Sequence, residues 1–252
     1  MKDIITIFVS IMIFICISCS NSDEPENTDT NAPCTYQSTQ VCADIVIAYN
    51  PLNENVDEPY QNPDLALGHP KGKGEQQGST DVVCLGDLIN GEIQSEGGNI
   101  ILSFSKYHII NGSGIDFKVF ENTFTNYDGK YIEVARVSVS DDNVNYYEFP
   151  VSYNENYPIN DIRRYESGFC GVNPVYANSE NCEIAPSDAN SGGDAFDIDV
   201  IIKLYNLPVD FKPKYVKITD AGSKYEDVGN DLKYLQRGVD IDAVCIMNYE
   251  EN

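Results

Sequence analysis

The chain has 252 residues, and its 40 Asp and Glu against 16 Lys and Arg give a formal net charge of −24. A field of that sign repels phosphate backbones and attracts cations, so it excludes nucleic acid as a partner and makes a bound metal ion a reasonable expectation. The residues beyond the N-terminal segment are enough for one domain of ordinary size.

The N-terminus predicts export as a lipoprotein. Lys2 precedes an apolar run at 4–18, which is short for a membrane span and typical of a signal peptide. Ser18 directly before Cys19 resembles a lipobox, although Cys16 stands where lipoboxes usually have Leu. We expect a signal peptide at 1–18, a lipidated Cys19, and contact with the membrane through the lipid alone. An uncleaved anchor or an ordinary signal peptide is the alternative.

The segment after Cys19 predicts a flexible tether. Its sequence, SNSDEPENTDTNAP, is acidic, rich in Asn and without residues that form a core. An acidic cluster at this position is similar to the surface-export signal of lipoproteins in some Gram-negative bacteria. We therefore expect a tether at 19–41, a folded domain at 42–252, and a location at the outer membrane, on the cell surface.

Strand signals dominate the rest of the chain. The segments are rich in Val, Ile, Tyr and Phe, several alternate with period two, and Gly, Asn, Asp or Pro bound them. In chain order they are 43–49, 81–86, 99–105, 115–121, 131–140, 145–151, 196–205, 214–220 and 240–247. No window keeps a helical period for ten residues. The sequence predicts an all-β fold, a single jelly-roll β-sandwich with few short helices and long loops such as 54–80.

Cysteines in the exported part of the chain predict disulfides. Six remain after the two in the N-terminal segment: Cys34, Cys42, Cys84, Cys170, Cys182 and Cys245. They allow fifteen sets of pairs, and the spacing favours Cys34–Cys42 and Cys170–Cys182, which leaves Cys84 for Cys245. A zinc site is the rival interpretation, but these six cysteines include no CxxC pair.

Acidic and amide side chains near the predicted strand ends suggest a structural Ca²⁺ ion, which binds six to eight oxygen ligands. The candidate ligands are Glu121, Asn122, Asp194, Asp197, Asp220, Asp240 and Asp242. On a regular strand Asp240 and Asp242 point to one face, where they repel each other unless a cation lies between them. In the alternative interpretation Asp194 caps a turn, Asp197 and Asp199 are solvated, and Asp240 pairs with Arg237.

Tyrosine is abundant, with 17 residues against 10 Phe. Four tyrosines lie in loop-like segments rich in Asn and are candidates to stack on a sugar or a partner: Tyr127, Tyr153, Tyr157 and Tyr165. Packing at the edge of the sandwich is the alternative role for these side chains.

Residues for catalysis are scarce. A serine triad requires a His, and the two that occur, His69 and His108, are accompanied by no GxSxG motif. The 40 acidic residues supply carboxylates enough for the pair that a glycosidase uses, but the chain has no Trp to form a sugar platform. We therefore expect a protein that is not an enzyme.

Two segments support a comparison with a family. EVARVSVSDDNVNYYEFP is similar to the hairpin of discoidin-like, galactose-binding-like jelly rolls, and KYVKITD resembles another strand of that superfamily. Five blocks over about 43–248 also follow the order of a bacterial "cell surface protein" family: ALGHP, DVVCLG, GIDFKVFENTF, CGVNPVYAN with GGDAFDI, and YVKITDAG with GVDIDAV. The resemblance implies a secreted or surface-anchored jelly-roll module for adhesion or ligand binding, without a reaction. Asn143 replaces the usual turn Gly, and Tyr146 and Tyr147 replace the usual Trp.

The sequence thus predicts a surface lipoprotein whose domain binds a glycan or a protein. Capture of a small nutrient for an outer-membrane transporter is the second interpretation, and a carbohydrate-active enzyme is the third. A Tyr-lined concave groove would favour the first, a deep closed pocket the second, and paired carboxylates in a cleft the third.

Overall fold

The computed structural model describes residues 39–52, 59–90, 92–126, 129–180, 182–222 and 238–252. Their regular structure is one short α-helix, two 3₁₀ turns (Pro63–Ala66 and Ile162–Arg164) and many short strands. The strands are β1 Val41–Cys42, β2 Ile45–Asn50, β3 Val83–Cys84, β4 Leu88–Ile89, β5 Glu92–Ile93, β6 Asn99–Ser103, β7 Tyr107–Ile109, β8 Phe117–Glu121, β9 Phe124–Asn126, β10 Gly129–Tyr131, β11 Ala135–Ser140, β12 Tyr147–Glu148, β13 Ser152–Tyr153, β14 Tyr165–Ser167, β15 Phe169–Cys170, β16 Asp194–Phe196, β17 Tyr215–Asp220, β18 Asp240–Ile246 and β19 Tyr249–Glu251. The helix is α1, Asp199–Tyr205.

Two antiparallel sheets form the sandwich. The five-stranded sheet has the order β1-β18-β8-β16, with β3 also paired to β18. The six-stranded sheet has the order β12-β11-β17-β6-β2, with β15 also paired to β11. Two-stranded ribbons pair β4 with β5, β7 with β19, β9 with β10, and β13 with β14. The predicted all-β sandwich is confirmed.

Alternation along the strands builds the core between the two sheets. Phe117 and Val119 of β8 pack with residues of β6, β11 and β17, including Ile100, Val137 and Ile218. All five side chains are fully buried. Because successive strand residues point to opposite faces, Lys118 and Phe120 lie on the outer face of the five-stranded sheet. Burial of the apolar residues of each strand therefore fixes which residues face outward.

The predicted strand at 196–205 is wrong beyond its first residue. β16 ends at Phe196, and α1 occupies Asp199–Tyr205. Ile198, Ile201 and Ile202 are buried, a spacing that matches one face of a helix rather than a strand. Asp199 forms an ion pair with Lys203 one turn later. Asn206 ends the helix in the left-handed region.

A β-bulge separates the two aspartates of β18. Along the pairing with β8 the register shifts between Ile241 and Ala243, so Asp242 is the extra residue. The predicted side-by-side arrangement of Asp240 and Asp242 on a regular strand is therefore wrong. The charges that act on Asp242 come from Asp81, Lys71 and Glu180 rather than from Asp240.

The disulfide pairs expected from spacing are also wrong. Cys42 of β1 is bonded to Cys245 directly opposite on β18, which excludes Cys34–Cys42 and Cys84–Cys245. Cys170 is a buried thiol, so it does not pair with Cys182, and Cys84 is likewise a buried thiol outside any disulfide. Cys182 is disulfide-bonded, but not to any described cysteine. Neighbouring strands bring Cys42 and Cys245 together although 203 residues separate them.

The predicted long connection 54–80 is held down by backbone hydrogen bonds over its described part. Gly72 N donates to Ala177 O, and Gly74 N donates to Val175 O. Gly72 also approaches Val175 so closely that any side chain there would collide with it. No helix in the described ranges has the length and apolar character needed to cross a membrane.

Candidate functional site

A groove of about 700 Å³ lies on the outer face of the five-stranded sheet, beside β16. Lys118 of β8 and Ala195 of β16, which are directly opposite each other, both line it. Its apolar lining includes Ile115, Ile162, Pro174, Tyr176 and Ile184, and its polar lining comprises Glu75, Lys118, Asn173 and Asn190. An apolar wall with a few polar groups at this volume is typical of a small-ligand site.

Tyr176 presents the exposed aromatic ring of the groove. The side chain is 40% exposed, and its backbone N donates to Ser191 O at 2.9 Å. The ring lies against Gly74 and Gly192, where an added Cβ would come within 3.3 and 3.0 Å of ring carbons. Both glycines have positive φ. The backbone on both sides therefore fixes the ring in place while leaving part of it open to a ligand.

Lys118 is a buried cation in the wall of the groove. The residue is 6% exposed, and its Nζ donates to Asp188 O at 3.0 Å and to Ser191 Oγ at 2.6 Å. An ammonium has three N–H donors, so one has no acceptor among the described residues. None of the described carboxylates forms an ion pair with it. Burial lowers the pKa of Lys118, and the charge of Asp188 opposes that shift.

Asp194 organises the loop that supplies Asn173 to the groove. One carboxylate oxygen accepts hydrogen bonds from the backbone N of Gly171 (2.8 Å) and Val172 (3.0 Å), and the other accepts from Asn173 Nδ2 (2.7 Å). Burial raises the pKa of Asp194 to about 6, against the lowering effect of these hydrogen bonds. Within the described chain the Oδ1 of Asn173 has no hydrogen-bond partner.

A second group of acidic residues, the carboxylate cluster, lies near the end of β8: Asp87, Glu121, Asp194, Asp220 and Asp240. Glu121 is fully buried and accepts hydrogen bonds from Thr123 Oγ1 and Asp240 N. Burial raises its pKa well above the ordinary value, and the charges of Asp240 and Asp194 raise it further. The structure therefore brings together four of the seven predicted Ca²⁺ ligands.

Two aspartates of the cluster repel each other. Asp220 accepts from Gly222 N (2.7 Å) and Val239 N (2.9 Å), and its pKa is raised to about 7 by burial and then by the charge of Asp87. Asp87 is 4% exposed, and its Oδ1 is buried and accepts no hydrogen bond from the described chain. Burial raises the pKa of Asp87 to about 6. The sequence-based prediction missed Asp87, which follows the DVVCLG block directly.

The other three predicted Ca²⁺ ligands lie elsewhere. Both oxygens of Asp242 accept from Lys71 N, Asn122 Oδ1 accepts from Ser79 N, and Asp197 Oδ1 accepts from Asp199 N at the start of α1. In the described ranges no group of three or more acidic, His or Cys side chains is arranged to hold a metal ion. Most of these carboxylates instead accept hydrogen bonds from the backbone, which fixes loop conformation.

The predicted tyrosine platforms have different surroundings. Tyr165 is 6% exposed, and its hydroxyl donates to Ile159 O. The guanidinium groups of Arg163 and Arg164 lie over the rings of Tyr157 and Tyr153 at 4.6 and 5.7 Å. These three side chains do not line the groove. Tyr127 lies outside the described residues, as do Cys19 and Cys34.

The two histidines are apart from the groove. A ring nitrogen of His69 lies 3.2 Å from Gln40 O, and desolvation lowers its pKa. His108 belongs to β7, opposite Glu250 of β19, and its pKa is also lowered, first by burial.

Sequence reasoning missed Lys118, Asn173 and Tyr176, although two of the five compared blocks contain groove residues. Lys118 lies in GIDFKVFENTF, Asn173 and Tyr176 lie in CGVNPVYAN, and the backbone of GGDAFDI forms the adjoining wall. One available signal was a lysine at an interior position of a strongly apolar strand. The other was a Tyr two residues after a Pro, in a loop that precedes two glycines.

No protein-family model matches this chain, and no curated protein is significantly similar to it. The likeness to bacterial cell surface proteins therefore depends on the sequence blocks alone.

Proposed function

We propose that this protein is a non-catalytic binding module of the cell envelope that takes a glycan in the groove beside β16. The observation that carries the proposal is the exposed ring of Tyr176, held between Gly74 and Gly192. A Tyr ring offers an apolar face to the C–H groups of a sugar and a polar tip to its hydroxyls. Asn173, Asn190 and Glu75 add hydrogen-bonding groups in the same groove.

The shape and chemistry of the groove favour binding over the two alternatives. Of the described residues that line it, Glu75 alone carries a carboxylate, whereas a glycosidase uses two. The groove is open rather than enclosed, which suits part of a longer glycan better than a captured small nutrient. The same proposal includes a jelly-roll topology for the strands of the sandwich. Its support is the sequence resemblance to galactose-binding-like domains.

The test of the glycan proposal is a glycan array probed with the purified full-length protein and two variants. Tyr176→Ala should abolish the binding of every glycan that the wild type retains. Tyr205→Ala is the matched control, because Tyr205 is 43% exposed but lies on α1, away from the groove. Equal loss in both variants, or binding that survives Tyr176→Ala, would contradict the proposal. Binding of a protein but no glycan would favour an adhesion module.

Attachment through lipidated Cys19, at the surface of the outer membrane, belongs to the proposal and is supported by the lipobox-like sequence. Cys19→Ala should move the protein from the membrane fraction to the soluble fraction of cells, because the lipid is the only expected anchor. Intact cells should lose surface labelling of the protein at the same time. Retention of the variant in the membrane fraction would contradict lipid anchoring.

A structural Ca²⁺ ion is the last part of the proposal. Its support is the mutual repulsion of Glu121, Asp220 and Asp240 and the buried Oδ1 of Asp87. A ligand that binds only the folded state stabilises it by about 2.7 kcal/mol at a hundredfold excess over Kd. Added Ca²⁺ should therefore raise the melting temperature by several degrees, and EDTA should reverse the effect.

Mg²⁺ should substitute poorly, because it requires tight octahedral geometry. Glu121→Gln should reduce the response to Ca²⁺, and Asp210→Asn, at an exposed position outside the cluster, is the control. If neither Ca²⁺ nor EDTA changes the melting temperature, the carboxylate cluster binds no Ca²⁺ and serves only to fix the conformation of its loops.

A further inference from the structure

Lys118 is an unusual residue for so acidic a protein. With 40 acidic side chains in the chain, its buried ammonium nevertheless forms no ion pair with a described carboxylate. Its two acceptors, Asp188 O and Ser191 Oγ, are neutral atoms. The charge of Asp188 acts on Lys118 without forming an ion pair with it. A buried charge is costly unless it is paired, so an anionic group of a ligand in the groove would complete the site.

We infer that the groove recognises a sugar unit that carries a carboxylate, and that Lys118 binds this carboxylate. The inference rests on the proposed glycan function and specifies its ligand class. The third N–H of Lys118 Nζ is the donor for the carboxylate. Asn173 Oδ1 and the carboxylate of Glu75 accept from sugar hydroxyls, and the ring of Tyr176 covers a C–H face of the sugar.

The groove suits an acidic sugar better than an acidic peptide. An extended peptide binds through unpaired backbone groups at a sheet edge, but three backbone N–H groups next to β16 are already paired. Gly193 N donates to Pro174 O, and the N–H groups of Tyr176 and Ala177 both donate to Ser191 O. The groove also presents side-chain amide, ammonium and phenol groups, which match a ring bearing hydroxyls and one acid.

The net charge of the protein limits how acidic the ligand is. A field from a charge of −24 repels a polyanion over a distance set by the ionic strength, about 8–10 Å at physiological salt. One buried ammonium offsets one carboxylate. The ligand therefore carries an isolated acidic unit among neutral sugars rather than a continuous run of acidic sugars.

The experiment is an NMR titration of the full-length protein with glucuronic acid, its neutral methyl ester and glucose. A charge-assisted hydrogen bond at a buried ammonium should make the acid bind at least about tenfold more tightly than the ester. Lys118→Gln should abolish that preference, and Lys118→Arg should keep part of it. Ser191→Ala removes one hydrogen bond of Lys118 but keeps the charge, so the preference should persist in that variant.

The outcomes separate this inference from the proposed function. If the acid and its ester bind equally to the wild type, the carboxylate inference is overturned while glycan binding stands, and this comparison needs no variant to fold. If array glycans bind through Tyr176 but the acid preference is unchanged in folded Lys118→Gln, the assignment to Lys118 is overturned. If an acidic peptide displaces glucuronic acid and binds more tightly, the sugar class is overturned. If no sugar binds, both proposals fail.

Discussion

Strand β8 contributes to two regions that treat buried charge in different ways. In the groove, the ammonium of Lys118 has two neutral acceptors and retains one unused N–H. In the carboxylate cluster, Asp194 has three donors from the neighbouring loop, and Asp220 has two. Backbone N–H groups can satisfy a carboxylate completely, and the chain supplies them wherever a loop turns. For Asp194 and Asp220 these hydrogen bonds mark a structural role, whereas an unused donor in an open groove marks a binding role.

The largest effect should come from the disulfide that joins β1 to β18, because β18 lies beside β8 and supports both regions. Cys42→Ala combined with Cys245→Ala opens a loop of 203 residues, worth roughly 5 kcal/mol under the chain-entropy model. Guanidinium unfolding of the non-reduced proteins measures the loss. Wild type reduced with dithiothreitol in the unfolded state also loses the disulfide of Cys182, so it should be destabilised at least as much as the variant. Equal midpoints for the variant and the untreated wild type would contradict the prediction.

Peptide mapping without reduction tests the disulfide assignment directly. It should find Cys42 linked to Cys245, and it should find Cys84 and Cys170 alkylated only after unfolding, because both thiols are buried. Burial also raises the pKa of Cys170 well above its ordinary value, so little thiolate is present to react. We predict Cys34 as the partner of Cys182. A Cys170–Cys182 peptide in the map would overturn this assignment.

Asp194→Ala should be the most damaging single change in the carboxylate cluster. It leaves the N–H groups of Gly171 and Val172 and the amide of Asn173 without their acceptor, at a cost of about 3 kcal/mol or more. Urea unfolding measures the cost, and Asp210→Ala at an exposed position is the control, expected within about 0.5 kcal/mol of wild type. If Asp194→Ala changes the free energy of unfolding as little as the control does, the structural role of Asp194 in the carboxylate cluster is contradicted.

The pH dependence of stability tests the cluster as a whole. Burial raises the pKa of Asp87 and Asp194 to about 6 and of Asp220 to about 7, whereas an unfolded Asp titrates near about 3.9. The folded state therefore binds more protons between these values, and its stability rises as the pH falls from 8 towards about 4. In EDTA the melting temperature should be higher at pH 5 than at pH 8.

A fall in the melting temperature between pH 8 and pH 5 would contradict this account of the cluster. Asp220→Asn should reduce the pH dependence, because it removes a group whose pKa is raised to about 7 and the repulsion of that group with Asp87. Asp210→Asn should leave the pH dependence unchanged.

The smallest effect should come from Ser191→Ala on the groove side. The hydroxyl accepts from Lys118 and donates to Pro186 O, and a hydrogen bond of this kind contributes about 1 kcal/mol net. Urea unfolding should show a loss well below that of Asp194→Ala. If Ser191→Ala lowers the free energy of unfolding as much as Asp194→Ala does, the main role of Lys118 is to fix the loop that contains Asp188 and Ser191. The difference between the two regions would then be contradicted.

The sequence by itself determined the fold class and most of the strand positions, because period-two alternation is a local property that survives in any β-sandwich. It also grouped seven candidate Ca²⁺ ligands near strand ends, of which four lie in the carboxylate cluster and three lie elsewhere. It failed at 196–205, where the residues Phe196, Ile198 and Val200 alternate as in a strand. Burial of Ile198, Ile201 and Ile202 on one face decided for the helix.

Only the tertiary structure decided the disulfide partners, the bulge and the groove. Spacing along the chain favoured short loops, but strand pairing placed Cys42 opposite Cys245 at the far end of the chain. The bulge at Asp242 arises from the register between β18 and β8, which no single strand encodes. Lys118, Asn173 and Tyr176 meet because two loops fold onto the outer face of one sheet. Side chains from distant segments come together only through tertiary contacts. The free energy of those contacts is set by packing rather than by local sequence.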